Sequence, residues 1–344
     1  MSYLFPAQAK ITPSFSEPQL IVQYAQASGF QATMEGGKLR QRLSADDLAV
    51  YINALYIATQ AQASQFGANW LPSVDLQAEF EQALTYLLQV RNNYDEEMER
   101  AAARYNVSLP NAIELGGRQA IYQQLRSMYL YGYNAANNEG LLNTQGATSI
   151  TLPADSLGNA YFQTYNPNDM YQLILNLIVS LKSRMYQSGA AIANKIRILS
   201  PQREFLDLEY AAIVQVTSYQ RPGGGTSTVA QAIQKVAEEA GDEIEWGYDD
   251  TLIGKGAGGT DMIIITVPEI EVPTMGDLNT NIFGKLQPST QAVNTQYCDV
   301  AAPYKVITPI PDGGFTQVLK MRATAGWNWR PQGITLLSVP YSAS

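Results

Sequence analysis

The side chains that most often carry out chemistry at neutral pH are scarce in this sequence. It contains no histidine, which removes the commonest proton-transfer group near neutral pH and the commonest protein metal ligand. Cys298 is the only cysteine, so an intrachain disulfide and a thiolate metal cluster are both excluded. We therefore expect no catalytic residue, no cofactor and no metal, and we expect Cys298 to be a small buried side chain.

Paired carboxylates, as in glycoside hydrolases, are the chemistry that a histidine-free chain can still perform. Two acidic groups are dense enough to consider: Glu245, Asp249 and Asp250 beside Trp246 and Tyr248, and Glu96, Glu97 and Glu99. Nothing in their spacing sets a distance between two carboxyls, and acids in loops and on helix faces are mostly solvated. A carboxylate-dependent hydrolase is thus an alternative, and solvated surface is the favoured interpretation.

Two glycine-rich segments resemble phosphate-binding loops. Residues 254–259 (GKGAGG) match GxGxxG, but such a loop should follow a strand and open a helix, whereas this one precedes a predicted strand at 262–267. Residues 223–225 precede a predicted helix but lack the Lys-Ser/Thr pair that completes a phosphate site. We predict ordinary loops at both places.

The composition favours broad neutral contact over a charged, freely diffusing monomer. The chain has 344 residues, 46% hydrophobic and 15% charged, with 21 tyrosines, which suffices for about two domains. A net charge of −9 argues against a basic nucleic-acid-reading face, although it permits enclosing nucleic acid. The longest apolar stretch, residues 170–181, is too short and too polar to span a membrane, and the start lacks a signal peptide. We expect a soluble protein made in a cytoplasm.

The first 93 residues contain three predicted segments. Residues 1–43 read as an extended arm. A helix is predicted to begin at Ser44, which forms a capping box with Asp47 before Leu48, Ile52 and Leu55. Residues 74–90 fit a helical stripe, but eight of nine even positions are apolar, so a half-buried pair of strands is the better match.

The rest of the chain mixes helices and strands without regular βαβ alternation, which is typical of the α+β class. Helices are predicted at 95–105, from Asn168 or Asp169 onward, from Ser200–Pro201, and at 226–240 before Gly241. The helix after Asn168 carries an apolar stripe of Met170, Leu173, Ile174, Leu177, Ile178, Leu181 and Met185. Strands are predicted at 195–199 and 262–267, and residues 315–323 and 333–339 are predicted to form a final pair.

Residues 112–143 form an amphipathic helix that runs into a polar turn. Ile121, Leu125, Met128, Tyr129 and Gly132 recur at the spacing of one helical face. A core-packing role is the simplest interpretation of the first four.

The turn after this helix ends in the sequence GLLN. Asn134, Asn137 and Asn138 compete for the backbone, and Gly140 is predicted to accept the left-handed conformation that stops the helix. Leu141 and Leu142 are predicted to fold back as an apolar anchor, followed by Asn143.

Five segments, in this order, resemble the major capsid proteins of tailed bacteriophages with the Hong Kong 97-type fold. They are NWLPSVDLQ at 69–77, YDEEMERAAARYNVSLPNA at 94–112, YGYNAANNEGLLN at 131–143, IRILSPQREFLDL at 196–208 and WNWRPQGITLL at 327–337. The resemblance spans roughly residues 45–340 and is closest to a branch once catalogued only as an uncharacterised phage family.

The resemblance implies a domain plan. Residues 1–43 are then the N-arm and 44–149 the first part of the peripheral domain, with an E-loop at about 72–93 and a spine helix at about 111–137. Residues 150–275 hold the axial domain, and 276–344 return to the peripheral domain and supply the C-terminal strands. Gly140, Leu141, Leu142 and Asn143 become the pivot between the two domains.

The resemblance also implies a function and partners. The chain would self-assemble as hexamers and pentamers of an icosahedral head around double-stranded DNA, which it contacts non-specifically, and it would reside in the virion. Scaffolding, portal and possible decoration proteins are its expected partners, and the lack of a long charged helical leader indicates a separate scaffold. An encapsulin-type compartment shell is the related alternative. Residues 72–93 contain no lysine, so we expect no E-loop crosslink of the kind that some members form.

Overall fold

A computed structural model describes residues 38–58, 75–105, 107–137, 139–187, 192–213, 227–271, 294–311 and 313–341. The helices are α1 Glu96–Ala103, α2 Leu109–Tyr131, α3 Pro167–Gln187, α4 Gln202–Tyr210 and α5 Val229–Glu239. The first strands are β1 Lys38–Arg42, β2 Ala49–Ala58, β3 Asp75–Asp95, β4 Thr148–Thr151, β5 Ile192–Ser200, β6 Ala212–Ile213 and β7 Ser227–Thr228. They are followed by β8 Glu243–Tyr248, β9 Asp261–Glu271, β10 Thr295–Asp299, β11 Tyr304–Ile310, β12 Gly314–Thr324, β13 Trp327–Asn328 and β14 Ile334–Val339.

The first sheet has seven strands and is built around the long strand β3. Its order is β1-β10-β12-β3-β2, with β11 also paired to β12 and β13 to β10. The C-terminal half of β3, from Thr85 to Asp95, pairs with β12, whereas its N-terminal half pairs, among the described strands, only with β2. The β2–β3 ribbon therefore extends ten residue pairs beyond the rest of the sheet.

Two predictions for the first 93 residues need correction. The pair of strands predicted at 74–90 is wrong: residues 75–90 are part of one 21-residue strand, whose partner β2 lies earlier in the chain. The helix predicted to begin at Ser44 is a turn followed by β2. The Ser44 amide does donate to Asp47 Oδ2 at 2.7 Å, but this bond closes the turn. The E-loop prediction, at about 72–93, therefore covers only one of the two strands of the projecting ribbon.

The second sheet has five strands in the order β4-β14-β9-β5-β8 and is apolar on both faces. One face carries Ile196, Ile198, Ile263, Ile265, Leu337 and Val339, which belong to the same buried cluster as α3 and α5. The other carries Leu199, Met262, Ile264, Ile334 and Leu336. Burial on both faces explains the uninterrupted apolar run MIIITV in β9.

The predicted final strand pair is wrong, because its two members lie in different sheets. β12 pairs with β3, β10 and β11 in the first sheet, while β14 pairs with β9 and β4 in the second. Both strands exist close to their predicted bounds. Except for β10 and β11, which lie near β12 in sequence, the partners of these two strands are 60 or more residues away. The spacing of apolar residues within a strand does not identify such distant partners.

The helices follow the prediction more closely. Of the seven apolar residues predicted on the face of α3, all are buried except Leu173, which is partly buried. Asp95 caps α1 by accepting from the Met98 amide, and Thr228 caps α5, which Gly241 ends at φ +81°. Cys298 is fully buried, as expected. No helix among the described residues is long and apolar enough to cross a bilayer.

Helix α2 links the two sheets through one apolar cluster. Its buried residues Ile121, Leu125, Met128 and Tyr129 belong to the same cluster as Leu319 and Met321 of the first sheet and Ile264 and Leu336 of the second. The four residues predicted to form the packing face of this helix are thus all buried, each with at most 2% of its surface exposed.

Truncation of Leu125 tests this packing. Leu125→Ala should lower the free energy of unfolding by about 2–5 kcal/mol, because it leaves a cavity in the shared cluster. Leu115→Ala, at a position on the same helix that is 51% exposed, is the matched control and should change it by less than about 0.5 kcal/mol. Urea unfolding of the purified protein measures both, and equal effects would refute the assigned helix face.

Candidate functional site

Helix α2 ends at Tyr131, six residues before its predicted end at 137. Gly132, which the sequence placed on the helical face, has φ +71° and is the C-cap; its amide donates to Met128 O at 2.9 Å. Asn134 then accepts from the Ala136 amide, which is the competition with the backbone that was predicted for the asparagines. Asn138 lies outside the described residues. Gly140 has positive φ, as predicted, but it does not terminate the helix.

Three glycines bring the end of α2, the GLLN turn and the connection from β12 to β13 into backbone contact. We call Gly132, Gly140 and Gly326 the glycine junction. The Gly140 amide donates to Gly326 O at 2.8 Å. A Cβ at Gly140 would lie 2.3 Å from Gly132 N, and one at Gly326 would lie 2.5 Å from Tyr129 O. No side chain fits at these positions without backbone movement.

The rest of the GLLN turn fastens the end of the helix. Leu141 is 1% exposed and lies in the α2 cluster, against which Leu142 also packs, so the predicted apolar anchor is present. Asn143 Nδ2 donates to Tyr131 O at 2.6 Å and to Glu139 O at 3.1 Å. Asn143 therefore supplies a hydrogen-bond donor to a carbonyl of the last turn of α2, and such carbonyls have no partner within their own helix.

Glu139 connects the glycine junction to β3, and sequence reasoning missed it. Its side chain is 9% exposed and accepts from Tyr86 Oη at 2.6 and 2.7 Å and from the Asn134 amide at 3.3 Å. Burial and the Glu139 carboxylate raise the pKa of Tyr86 to about 12. The rings of Tyr86 and Tyr133 lie 4.6 Å apart. The stem of the β2–β3 ribbon is thus tied to the turn that follows α2.

A buried ion pair connects α2 to the second sheet. Arg126 Nη2 lies 3.1 Å from Asp249 Oδ2, with both side chains almost completely buried. One turn later, Tyr131 Oη donates to Thr251 O at 2.8 Å. Residues 249–251 follow β8, so the helix contacts both sheets through polar groups as well as apolar ones.

The acidic residues considered for catalysis have structural partners instead of a common site. Asp249 pairs with Arg126, and Asp250 accepts from the Gln202 amide at the start of α4. Glu245 lies on β8 and pairs across the sheet with Lys195 at 2.5 Å and Arg197 at 2.7 Å. The second group, Glu96, Glu97 and Glu99, is exposed in the first turn of α1, where acids favour the helix dipole.

Of the two glycine-rich segments, the structure describes the one at 254–259. Residues 254–259 form a loop before β9, in the order that the sequence predicted, and the Gly254 amide donates to Asp261 Oδ1 at 3.0 Å. Residues 223–225 lie outside the described residues. Within the described part of the chain, no three acidic, histidine or cysteine side chains are grouped as metal ligands.

A matched pair of glycine variants tests the close approach in the glycine junction. Gly140→Ala should destabilise the protein by at least about 2 kcal/mol more than Gly158→Ala. Gly158 has the same φ of +86°, but a Cβ added there would meet nothing within 4 Å, so it reports the conformational cost alone. Urea unfolding of the purified protein measures the difference. Equal losses would show that the backbone contact contributes nothing.

Comparisons with known proteins identify the fold. No family model and no curated protein matches the sequence. Among solved structures, the capsid of Myoviridae phage XM1 has 11% identity and a TM-score of 0.68 over 95% of this chain and 96% of that one. The capsid of cyanophage P-SCSP1u has 10% identity and a TM-score of 0.57 over 96% of this chain and 94% of that one. The capsid of a native GTA particle has 9% identity and a TM-score of 0.57 over 97% of this chain and 96% of that one. The chain has the Hong Kong 97-type capsid fold over nearly its whole length.

Proposed function

We propose that this chain is the major capsid protein of a tailed bacteriophage, which self-assembles into an icosahedral shell around double-stranded DNA. The observation that carries the proposal is the match of almost the entire chain to capsid subunits, with little of either chain left over. A shell subunit works by presenting self-complementary surfaces in several nearly equivalent environments. Many weak contacts then multiply into a stable closed shell. The virion is its proposed location.

The projecting β2–β3 ribbon supports this proposal. Ten residue pairs correspond to about 33 Å of strand, and a two-stranded ribbon by itself is marginally stable in water. We assign Ala49–Ala58 and Asp75–Leu84 to the arms of the E-loop, and we place its contact surface on a neighbouring subunit. The Tyr86–Glu139 bond fixes the base of this loop.

The remaining domain assignments follow the same scheme. Helix α2 is proposed as the spine helix, 1–43 as the N-arm, 150–275 as most of the axial domain and 276–344 as the returning segment, whose β14 completes the second sheet. Residues 140–143 form the pivot between the two domains. In this role, the glycine junction allows the chain to leave the spine helix sharply while remaining bonded to it.

The proposed partners are other copies of the chain, arranged as hexamers and pentamers, together with scaffolding, portal and possible decoration proteins. Contact with packaged DNA is proposed to be non-specific. The net charge of −9 supports this, because an acidic wall does not hold the phosphate backbone. The absence of histidine and the structural pairing of Asp249 and Glu245 favour a structural role over hydrolysis.

Expression of the full chain, alone and with its scaffolding protein, tests the proposed function. Negative-stain microscopy should show closed shells large enough for a genome. Small uniform shells packed with enzyme would support the compartment alternative instead. Monomers under all conditions, with turnover of a glycoside, would refute the capsid function.

Valine substitution tests the pivot. Gly140→Val should prevent or distort shell formation while far-ultraviolet circular dichroism stays close to that of the wild type, because the clash lies between elements and not within one. Gly158→Val, with the same φ and open space around it, should still assemble. Normal shells from Gly140→Val would contradict the pivot assignment.

Lysine placement predicts shells without covalent crosslinks from the E-loop. Neither 72–93 nor the two arms of the ribbon contain lysine, and the sequence has none between Lys38 and Lys182. Denaturing gels of assembled shells should therefore show a single band of subunit mass. A ladder of multimers that persists after reduction would show that the assignment of the loop is wrong.

A further inference from the structure

Two buried carboxyl groups join helix α4 to the start of β9. Glu204 is fully buried and Asp261 is 3% exposed. We call these two residues the acid pair. The Arg203 guanidinium contacts both carboxyls, so the two acids lie on either side of one cation. The pair lies outside the glycine junction and has no part in the capsid function proposed above.

The Arg203 guanidinium contacts both carboxyls, and its hydrogen bonds to Asp261 are shorter than its contact with Glu204. Arg203 Nε donates to Asp261 Oδ2 at 2.9 Å, and Nη2 bonds the same oxygen, whereas its contact with Glu204 Oε1 is longer, at 3.3 Å. Glu204 Oε2 is buried without a hydrogen-bond partner. An ionised Glu204 would therefore place a bare negative oxygen beside a second carboxylate, which is unfavourable in a buried site.

Among the described residues, the remaining titratable groups around the acid pair do not supply a second cation. Asp207, one turn further along α4, adds a carboxyl whose pKa is raised by burial. Tyr341, which follows β14, lies under the Arg203 guanidinium at 4.1 Å from the ring centre, and burial together with Asp207 raises its pKa. The cluster thus holds three carboxyls and a phenol against one guanidinium.

We propose that the acid pair is an alkali-sensitive latch: while Glu204 and Asp261 share one proton they hold α4 and residues 250–260 on β9, and loss of that proton releases both. The attachments are specific. Asp261 Oδ1 accepts from the Gly254 amide, and Asp250 accepts from the Gln202 amide at the start of α4. Because Asp249 and Thr251 bond to α2, release of this loop also weakens the link between α2 and the second sheet.

The direction of the pH dependence follows from the two carboxyl groups. Burial first, and then the neighbouring Asp261, raise the pKa of Glu204 to about 8, above its ordinary value of 4.5. Burial opposes ionisation of Asp261, but Glu204, Arg203 and the Gly254 amide together lower its pKa. Between pH 4.5 and about pH 8, Glu204 in the folded chain holds a proton that it has lost in the unfolded chain. Stability therefore falls as pH rises through this window, and the contribution of the shared proton is lost by about pH 8.

Hydrogen exchange of the full-length unassembled subunit tests the latch. Between about pH 6.5 and about pH 9.5, peptides covering α4 and residues 250–260 should exchange roughly tenfold faster, after correction for intrinsic rates. Glu204→Gln keeps a donor toward Asp261 without a titrating proton and should abolish this rise. Glu209→Gln, which removes a carboxylate from the same helix outside the cluster, should retain it.

A rise that persists in Glu204→Gln, or a wild-type protein without any rise, would overturn the latch. If Glu204→Gln fails to fold, infrared difference spectroscopy of the wild-type protein decides the question. A carboxylic-acid C=O band that disappears near pH 8 supports the shared proton, and absence of such a band in neutral solution refutes it.

Discussion

The structure depends on the burial of helix α2 in an apolar cluster to which both sheets contribute. Neither sheet has a core of its own on this side, because Leu319 and Met321 of one and Ile264 and Leu336 of the other meet in the same cluster. The buried Arg126–Asp249 pair adds a polar contact whose loss on one side would leave an unpaired charge. The relative position of the sheets is therefore set by the side chains of one helix.

The glycine junction fixes the direction in which the chain leaves helix α2. A helix that ends in open solvent can be followed by many conformations, but Gly132 and Gly140 lie so close that even one Cβ would not fit between them. Asn143 and Glu139 then bond the turn to the helix end and to β3. In the role of a shell subunit that we propose, this junction lets the projecting ribbon and the second sheet transmit the strain of different lattice positions through a rigid frame.

The sequence predicted the elements whose signals are local. The stripe on α3, the glycine that ends α5 and the buried face of α2 follow from spacing and capping chemistry within one segment. Where two local signals competed, the prediction failed: Ser44 and Asp47 do form their bond, but the chain that follows is strand, because β2 pairs with a segment that begins 17 residues after it ends. The GLLN residues were identified, whereas Gly326, Tyr86 and Glu139 were missed, since their importance comes from contacts between distant parts of the chain.

Because the two sheets share one core, we predict that they unfold as one cooperative unit. Variants that keep only Trp246, at the second sheet, or only Trp327, at the first, report on each sheet separately. Urea unfolding of each purified variant, followed by its tryptophan fluorescence, should give coincident transitions with the same midpoint and slope. Two separated transitions, one for each tryptophan, would show that the two sheets unfold independently and that no shared core couples them.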